Sequence, residues 1–154
     1  MKEHFKIFIK DWKQIRGKTH EFLESLPEGK LKWKPHELLG TFGMQFRHMI
    51  VSQRAYLVGI KRGRIDFADK AFDKEWETSK RKIIAALKAL DKELEILLSS
   101  INPKKEIIFI DGVHGESKES ISRILQFLIE HEYYHQGVLT CYGRLAGLGK
   151  FIFM

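Results

Sequence analysis

The most constraining feature of the sequence is an apolar stripe in its last third that contains two histidines. Its members follow one another at steps of three or four residues: Ile121, Ile124, Leu128, His131, His135, Val138, Tyr142 and Leu145. Such steps place side chains on one face of an α-helix, so the stripe predicts a long helix with both imidazoles facing inward. A spacing of one turn lets one divalent ion bind both rings. The pattern therefore predicts a metal site, and a pair of hydrogen-bonded core histidines is the alternative.

Three earlier segments show the same helical spacing. The first, from about residue 2 to 25, has an apolar stripe made of Phe5, Phe8, Trp12, Ile15, Thr19, Phe22 and Leu26. Thr41 is a plausible N-cap for a second helix that reaches about Lys61. The third carries Ile83, Leu87, Leu90, Leu94, Leu97 and Ile101 and ends before Pro103. Four amphipathic helices predict a four-helix bundle, a fold that builds metal sites from side chains on facing helices.

The segments between the helices complete the predicted fold. Residues 27–40 form a connector, 63–78 form a loop, and 106–115 combine a β-prone run with an Asp-Gly turn that favours a small hairpin. Ser117 or Ser120 is expected to cap the last helix. We therefore predict one all-α domain over residues 1–154, with a β-hairpin or extended segment before the last helix. The Thr19 hydroxyl is expected to bond to carbonyls of its own helix.

The second helix offers a third histidine. His48 belongs to a stripe that comprises Met44, His48, Val51, Ala55 and Val58. An adjoining stripe comprises Phe42, Phe46, Met49, Gln53, Tyr56 and Ile60. Because the two stripes together cover much of the helix surface, we expect most of the helix to be buried and His48 to point inward. The alternative is a histidine at the margin of the core.

Composition restricts the possible partners. The chain of 154 residues has a formal net charge of +7, yet its lysines and arginines are scattered, with short clusters at 30–34 and 61–64. No nucleic-acid-binding motif accompanies them, so we expect neither nucleic acid nor membrane as a partner.

The chain has no run of eighteen apolar residues and no signal-peptide pattern, which favours the cytoplasm. The single cysteine, Cys141, is expected to be a small core residue.

The sequence His131-Glu132-x-x-His135 also matches the metalloprotease motif in which two histidines bind zinc and the glutamate acts as a base. The further ligands of such proteases are missing, because Val138 and Cys141 stand where a glycine and a third histidine belong. Residues 136–154 contain no carboxylate. We therefore reject the protease interpretation. Glu132 is interpreted either as a carboxylate that supports the site or accepts a proton, or as a solvated glutamate paired with a lysine.

A resemblance covers almost the whole chain. Its motifs are Leu26-Pro27-x-x-x-Leu31-x-Trp33-Lys34-Pro35, Arg47-His48-Met49, a hairpin that ends in Gly115, His131-Glu132-x-x-His135-x-Gly137, and Arg144-Leu145-x-Gly147. Together they resemble the DinB/YfiT-like superfamily. In that family a glutamine often follows the motif glycine directly. This chain departs from the pattern, because Gln136 precedes Gly137 and Val138 follows it.

The resemblance implies a function. Members of that family are four-helix bundles, often homodimers, in which three histidines hold a divalent metal; by position these would be His48, His131 and His135. Some relatives are S-transferases that use bacillithiol or mycothiol, and one is a mycothiol-dependent isomerase. Three histidines leave a coordination position open, as in catalytic sites. We thus expect a homodimeric enzyme that uses zinc or nickel to activate a thiol or water against a small-molecule substrate. A non-catalytic metal- or ligand-binding bundle is the alternative, and a DNA-damage-associated protein is a weaker one.

The remaining candidates have a structural interpretation. Tyr133, Tyr134 and Tyr142 are expected to serve packing rather than catalysis. The other histidines, His4, His20, His36 and His114, are interpreted as surface or structural residues. His114 is the exception that could have a functional role, because the predicted hairpin could border the site. The apolar residues 151–154 have no obvious core position and favour the homodimer.

Overall fold

The computed structural model describes residues 3–67, 73–111 and 115–149. Its four long helices are α1 (Glu3–Ser25), α2 (Phe42–Arg62), α3 (Lys80–Ser100) and α4 (Ile121–Leu145). Short 3-10 helices at Glu28–Lys32 and Lys74–Glu77 precede α2 and α3. The strands are β1 (Arg64–Ile65), β2 (Glu106–Asp111) and β3 (Gly115–Ser120). The predicted four-helix bundle with a small β-hairpin before the last helix is confirmed.

Side-chain caps explain where three of the helices begin. Thr41, Ser79 and Ser120 each accept a hydrogen bond from the backbone N–H three residues later. Each bond satisfies one of the donors that the first turn of a helix leaves without a partner. Thr41 confirms the predicted cap. Of the two serines proposed for α4, Ser120 is the cap, because Ser117 lies within β3.

The sheet is larger than the predicted hairpin. β2 and β3 pair antiparallel, from Glu106 opposite Ser120 to Asp111 opposite Gly115. β1 adds a third strand parallel to β2, within the segment predicted to be a loop.

His114 and residues 151–154 lie outside the described residues, so the role of His114 and the homodimer stay predictions. No helix in the described parts of the chain has the length and apolar character to cross a membrane.

Helices α2 and α4 run antiparallel, and this brings the histidines together. Phe42 at the start of α2 packs edge-on against Tyr142 near the end of α4, with ring centroids 5.5 Å apart. Farther along, His48 lies beside His131, with ring centroids 5.2 Å apart. The sheet lies where α2 ends and α4 begins, since β1 follows α2 and β3 leads into α4. The histidines therefore meet away from the sheet, in the first half of α2 and near the middle of α4.

The two stripes of α2 differ in burial. The stripe that contains Phe42, Phe46 and Gln53 is fully buried in the core. The other stripe lies at the edge of the α2–α4 interface, where Met44 and His48 are exposed. The prediction that His48 points into the core is therefore wrong, and the alternative position at the core margin is correct. Leu145, at the end of the α4 stripe, is likewise exposed.

A glycine lets the second 3-10 helix pack directly on α2. A Cβ atom added at Gly43 would lie 1.9 Å from the carbonyl oxygen of Glu77, far inside van der Waals contact. The contact is with backbone, so no side-chain rotation could relieve it. In contrast, Gly17 in the middle of α1 has no atom within 4 Å of an added Cβ. The two helical glycines thus have opposite structural roles.

We expect opposite effects when these glycines are replaced by alanine. Gly43→Ala should lower the free energy of unfolding by about 3 kcal/mol, because the chain at Glu77 must move. Gly17→Ala should raise it by about 0.5–1 kcal/mol, because alanine favours helix interiors. Urea unfolding monitored by circular dichroism measures both. Equal effects of the two substitutions would contradict the close packing at Gly43.

Candidate metal centre

Three imidazoles from two helices converge at one point. His48 comes from α2, and His131 and His135 come from successive turns of α4. One ring nitrogen from each lies within 4.8 Å of the others, an arrangement that could hold a metal ion. The Nε2 atoms of His48 and His131 are 3.2 Å apart. Two nitrogens bound tetrahedrally to one zinc ion are separated by about 3.4 Å, so this spacing suits shared coordination.

Neighbouring polar groups contact two of the rings. Nδ1 of His135 lies 3.1 Å from Oε1 of Gln45. Because an amide oxygen only accepts, Nδ1 carries the hydrogen and Nε2 keeps the lone pair that a ligand needs. The Gln45 amide in turn donates to the Tyr142 hydroxyl over 3.5 Å. The Ser52 hydroxyl lies 3.4 Å from Nε2 of His48. Gln45 thus has the role that partners of metal-bound histidines usually have.

The surroundings keep all three rings neutral at physiological pH. Burial lowers the pKa of His131 to about 3, with further lowering by His135, His48 and Arg16. Burial and then His48 lower the pKa of His135 to about 4. The pKa of His48 is lowered by the partial burial of its ring and then by Arg47. A neutral imidazole has the free lone pair that metal coordination requires, so the three rings are in their ligand form.

The three rings face an open cleft of about 1040 Å³ between the first half of α2 and the last half of α4. His135 is buried, His131 is partly exposed and His48 is exposed, so the site is reached from solvent. The cleft wall also includes Tyr133 and Tyr134. Both were expected to serve packing, yet they are 54% and 67% exposed. An accessible centre in a cleft of this size suits a small-molecule ligand.

Glu132 lies on a different face of α4 from the histidines. Its side chain is buried, and its Oε1 atom accepts a 2.5 Å hydrogen bond from the Thr19 hydroxyl of α1. Oε2 lies 3.3 Å from Nη2 of Arg16. One turn later, Gln136 donates to the Thr19 oxygen and to the backbone carbonyl of Ile15. The solvated glutamate paired with a lysine is therefore wrong, and so is the prediction that Thr19 bonds within its own helix.

Arg16 connects Glu132 with the other two helices. Its Nη2 atom donates to Oε1 of Gln53 on α2 over 2.8 Å, and Nε lies 3.4 Å from Oδ1 of Asp91 on α3. Asp91 also accepts hydrogen bonds from Trp12 and from Gln53. We call Arg16, Asp91, Gln53, Glu132, Thr19 and Gln136 the interior polar network. Through this network one guanidinium on α1 contacts all three other helices.

Charge in the interior polar network is nearly balanced. One guanidinium faces two carboxyl groups, so full ionisation would leave one buried negative charge in excess. The pKa of Glu132 is raised because burial outweighs the opposing effects of Arg16 and Thr19. The pKa of Asp91 is lowered, since the nearby His20 and Arg16 side chains together with hydrogen bonds from Trp12 and Gln53 outweigh its burial. The surroundings thus shift the two pKa values in opposite directions, favouring the ionised form of Asp91 and disfavouring that of Glu132.

The sequence pattern located the histidines but not their partners. Gln45 precedes His48 by three residues, so helical spacing could have placed both on one face. Nothing in the spacing indicates that Arg16, Asp91 and Glu132 meet, because that depends on how four helices pack.

Cys141 is exposed on the cleft wall, so its predicted core position is wrong. Among the other histidines, His20 lies 3.7 Å from Asp91 in a structural role.

The fold and this centre define a four-helix bundle with three clustered histidines, and comparison with known proteins agrees. Residues 11–139 match the DinB superfamily. The chain therefore belongs to the DinB superfamily, as its motifs predicted. No curated protein matches the sequence.

Solved structures share this fold at low sequence identity. YfiT from Bacillus subtilis, described as "a probable metal-dependent hydrolase with an unusual four-helix bundle topology", has a TM-score of 0.74 at 17% identity over 96% of this chain and 90% of its own. A DinB-like protein from Bacillus cereus has a TM-score of 0.71 at 20% identity, with 91% of each chain covered. The DinB-like protein YjoA from Bacillus subtilis reaches 0.69 at 22% identity over 91% and 92%. At these identities the comparison establishes the fold alone.

The interior polar network yields a prediction that depends on pH. Arg16→Met removes the guanidinium that Asp91 and Glu132 face, so at pH 7 the free energy of unfolding should fall by about 3–5 kcal/mol. Because folding lowers the pKa of Asp91, its ionised form stabilises the fold at pH values above the pKa it has in the unfolded chain. This contribution is lost as the pH falls through the pKa that Asp91 has in the folded protein. Glu132, whose pKa is raised, takes up its proton earlier during acidification. The cost of Arg16→Met should therefore shrink between pH 7 and pH 4.

Urea unfolding at the two pH values measures this cost. The matched control is Arg81→Met, which replaces an exposed arginine at the start of α3 and should change the free energy of unfolding by less than about 0.5 kcal/mol. An equal loss for Arg16→Met at both pH values would show that only packing was removed.

Proposed function

We propose that this protein is a metal-dependent enzyme in which His48, His131 and His135 bind one divalent ion, zinc or nickel. The observation that carries the proposal is the convergence of three neutral imidazoles on an open cleft. The donor set fits the ion, because imidazole nitrogens are the ligands that zinc and nickel favour. A divalent ion at an incompletely filled site favours the deprotonated form of a water or thiol nucleophile. The reaction is then hydrolysis of a small molecule, or transfer of a thiol such as bacillithiol to it.

The residues of this chain contribute orientation and access. Gln45 bonds Nδ1 of His135, which leaves Nε2 of that ring free for the ion. His48 lies at the open side, where exposure lets substrate approach. Arg47 is paired with Glu77 of the second 3-10 helix, which ties that segment to the site. The histidines thus form a centre with a closed side toward Gln45 and an open side toward solvent.

Glu132 is proposed to support this centre from within the bundle. Its two carboxyl oxygens contact Thr19 and Arg16, and it is not among the described residues that line the cleft. These contacts favour a positioning role over acceptance of a proton from a nucleophile in the cleft. Because Glu132 is next to His131 in the chain, fixing Glu132 against α1 also fixes the direction of the His131 ring.

The metal proposal predicts close to one zinc or nickel ion per chain after loading and gel filtration. Replacing His48, His131 or His135 by alanine should weaken binding by more than the roughly tenfold to hundredfold loss that outer partners such as Gln45 produce. His36→Ala is the matched control, because His36 is exposed and lies outside the cleft. Metal content from plasma emission spectrometry and competition with a chelator measure both effects. Unchanged metal content in the His131→Ala, His135→Ala double variant would refute the site.

The catalytic proposal is tested with metal-loaded protein. Hydrolysis of 4-nitrophenyl esters, or displacement of chloride from a chlorodinitrobenzene by bacillithiol or cysteine, should be faster than without protein. The excess should disappear after chelation and in the His131→Ala, His135→Ala double variant. Glu132→Gln should leave the metal bound and the rate within about threefold of the wild type. The amide cannot accept a proton, but no proton from the cleft is expected to reach this position. A loss of about 100-fold or more would assign general-base catalysis to Glu132.

Controls separate the possible outcomes. His36→Ala should retain the full excess rate, since it leaves the three imidazoles in place. Fully metallated protein that accelerates neither reaction would favour a non-catalytic metal-binding bundle over an enzyme. Activity that persists without metal would contradict the proposed mechanism.

A further inference from the structure

Exposed apolar side chains are concentrated around the three histidines. The described residues include eight large hydrophobic side chains that are exposed, and four of them line the cleft: Leu39, Met44, Tyr133 and Tyr134. Scattered exposed hydrophobic residues are ordinary, but several together in one concave site mark a surface that a ligand covers. The Tyr134 ring stands edge-on to His135, with centroids 5.1 Å apart. An aromatic wall therefore adjoins the candidate centre directly.

Away from the histidines, the cleft offers little to a charged group of a ligand. Arg47 is the one charged side chain among the described residues that line it, and Glu77 neutralises Arg47 in an ion pair. No aspartate, glutamate or lysine belongs to the described lining. A charged group that leaves water needs an opposite charge or several hydrogen bonds to offset its desolvation. The body of a ligand in this cleft is therefore expected to be neutral.

Gly137 leaves free space in the wall. It lies between His135 and Val138 on α4 and lines the cleft, and a Cβ added to it meets no atom within 4 Å. In the middle of a helix, glycine costs roughly 1 kcal/mol relative to alanine. The absence of a side chain at this point keeps the surface beside the imidazoles open to a flat or bulky group.

From these observations we infer the class of substrate: a small molecule with a neutral aromatic or aliphatic body that packs against Tyr134, Met44 and Leu39, and with one polar group directed at the histidines. The orientation of that polar group rests on the proposed function, whereas the apolar contact does not. Selectivity comes from burial of apolar surface, since the described walls provide few polar groups. Affinity should therefore grow with the apolar area of the ligand.

The first test uses the neutral fluorophore N-phenyl-1-naphthylamine and metal-loaded protein. Its fluorescence should rise on binding, and linear alcohols should displace it with an affinity that grows by up to about fourfold for each added methylene. Affinity that does not depend on chain length would overturn the proposal. Chelation should leave most of the fluorophore bound, because the apolar wall does not need the ion.

The second test locates the fluorophore with matched glycine variants. Gly137→Leu fills the space beside the imidazoles and should weaken binding by at least about tenfold, while its metal content stays at the wild-type level. Gly17→Leu is the control, because Gly17 is also a helical glycine with open space at Cβ but lies outside the cleft. It should bind the fluorophore like the wild type. Equal binding by both variants would refute the site.

The single cysteine gives a readout that needs no substitution. Cys141 is exposed on the cleft wall, so a bound ligand should shield it from a maleimide. At ten times its dissociation constant, the fluorophore should slow labelling by about tenfold. Undiminished labelling would place the fluorophore elsewhere and overturn the inference. Loss of metal binding in the histidine variants tests the proposed function separately, so either conclusion can fail without the other.

Discussion

The structure depends on one buried cation. Arg16 on α1 contacts Gln53 on α2, Asp91 on α3 and Glu132 on α4, so a single guanidinium fixes how the four helices lie against one another. A buried charge tolerates little displacement. When it moves away from its partners, their attraction no longer offsets the free-energy cost of removing the charge from water. Apolar packing alone would permit small shifts of one helix along another. The ion pairs remove that freedom at the level where the histidines meet.

Helix α4 carries two kinds of polar pair, each with a spacing of one turn. Glu132 and Gln136 face α1, whereas His131 and His135 face α2 and the cleft. Since consecutive residues on a helix are rotated by about 100°, a fixed position for the first pair sets the direction of the second. The interior pair is closed to solvent and bound by hydrogen bonds. The orientation of the histidines is thus established by side chains that do not touch the cleft.

The sequence predicts what depends on local spacing. The helical period of the apolar residues located all four helices, and short-range hydrogen bonding explains why Thr41 and Ser120 begin two of them. Contacts between distant segments were not predictable in this way. The parallel pairing of β1 with β2 and the backbone packing of Glu77 on Gly43 join segments that no local pattern relates. Periodicity gives the face on which a residue lies but does not identify what covers that face.

The same distinction explains the corrections at the candidate site. His48 and Cys141 were placed in the core because they lie on or near apolar stripes, yet both are exposed where α2 and α4 leave a cleft. A centre wholly inside the bundle would exclude a substrate, and a centre wholly on the surface would leave the imidazoles hydrated, with pKa values near the ordinary value of about 6.5. Lying at the margin, His131 and His135 are buried enough to have a low pKa and remain accessible through His48. Partial burial is therefore the property that makes these three side chains suitable both for binding a cation and for presenting it to a ligand.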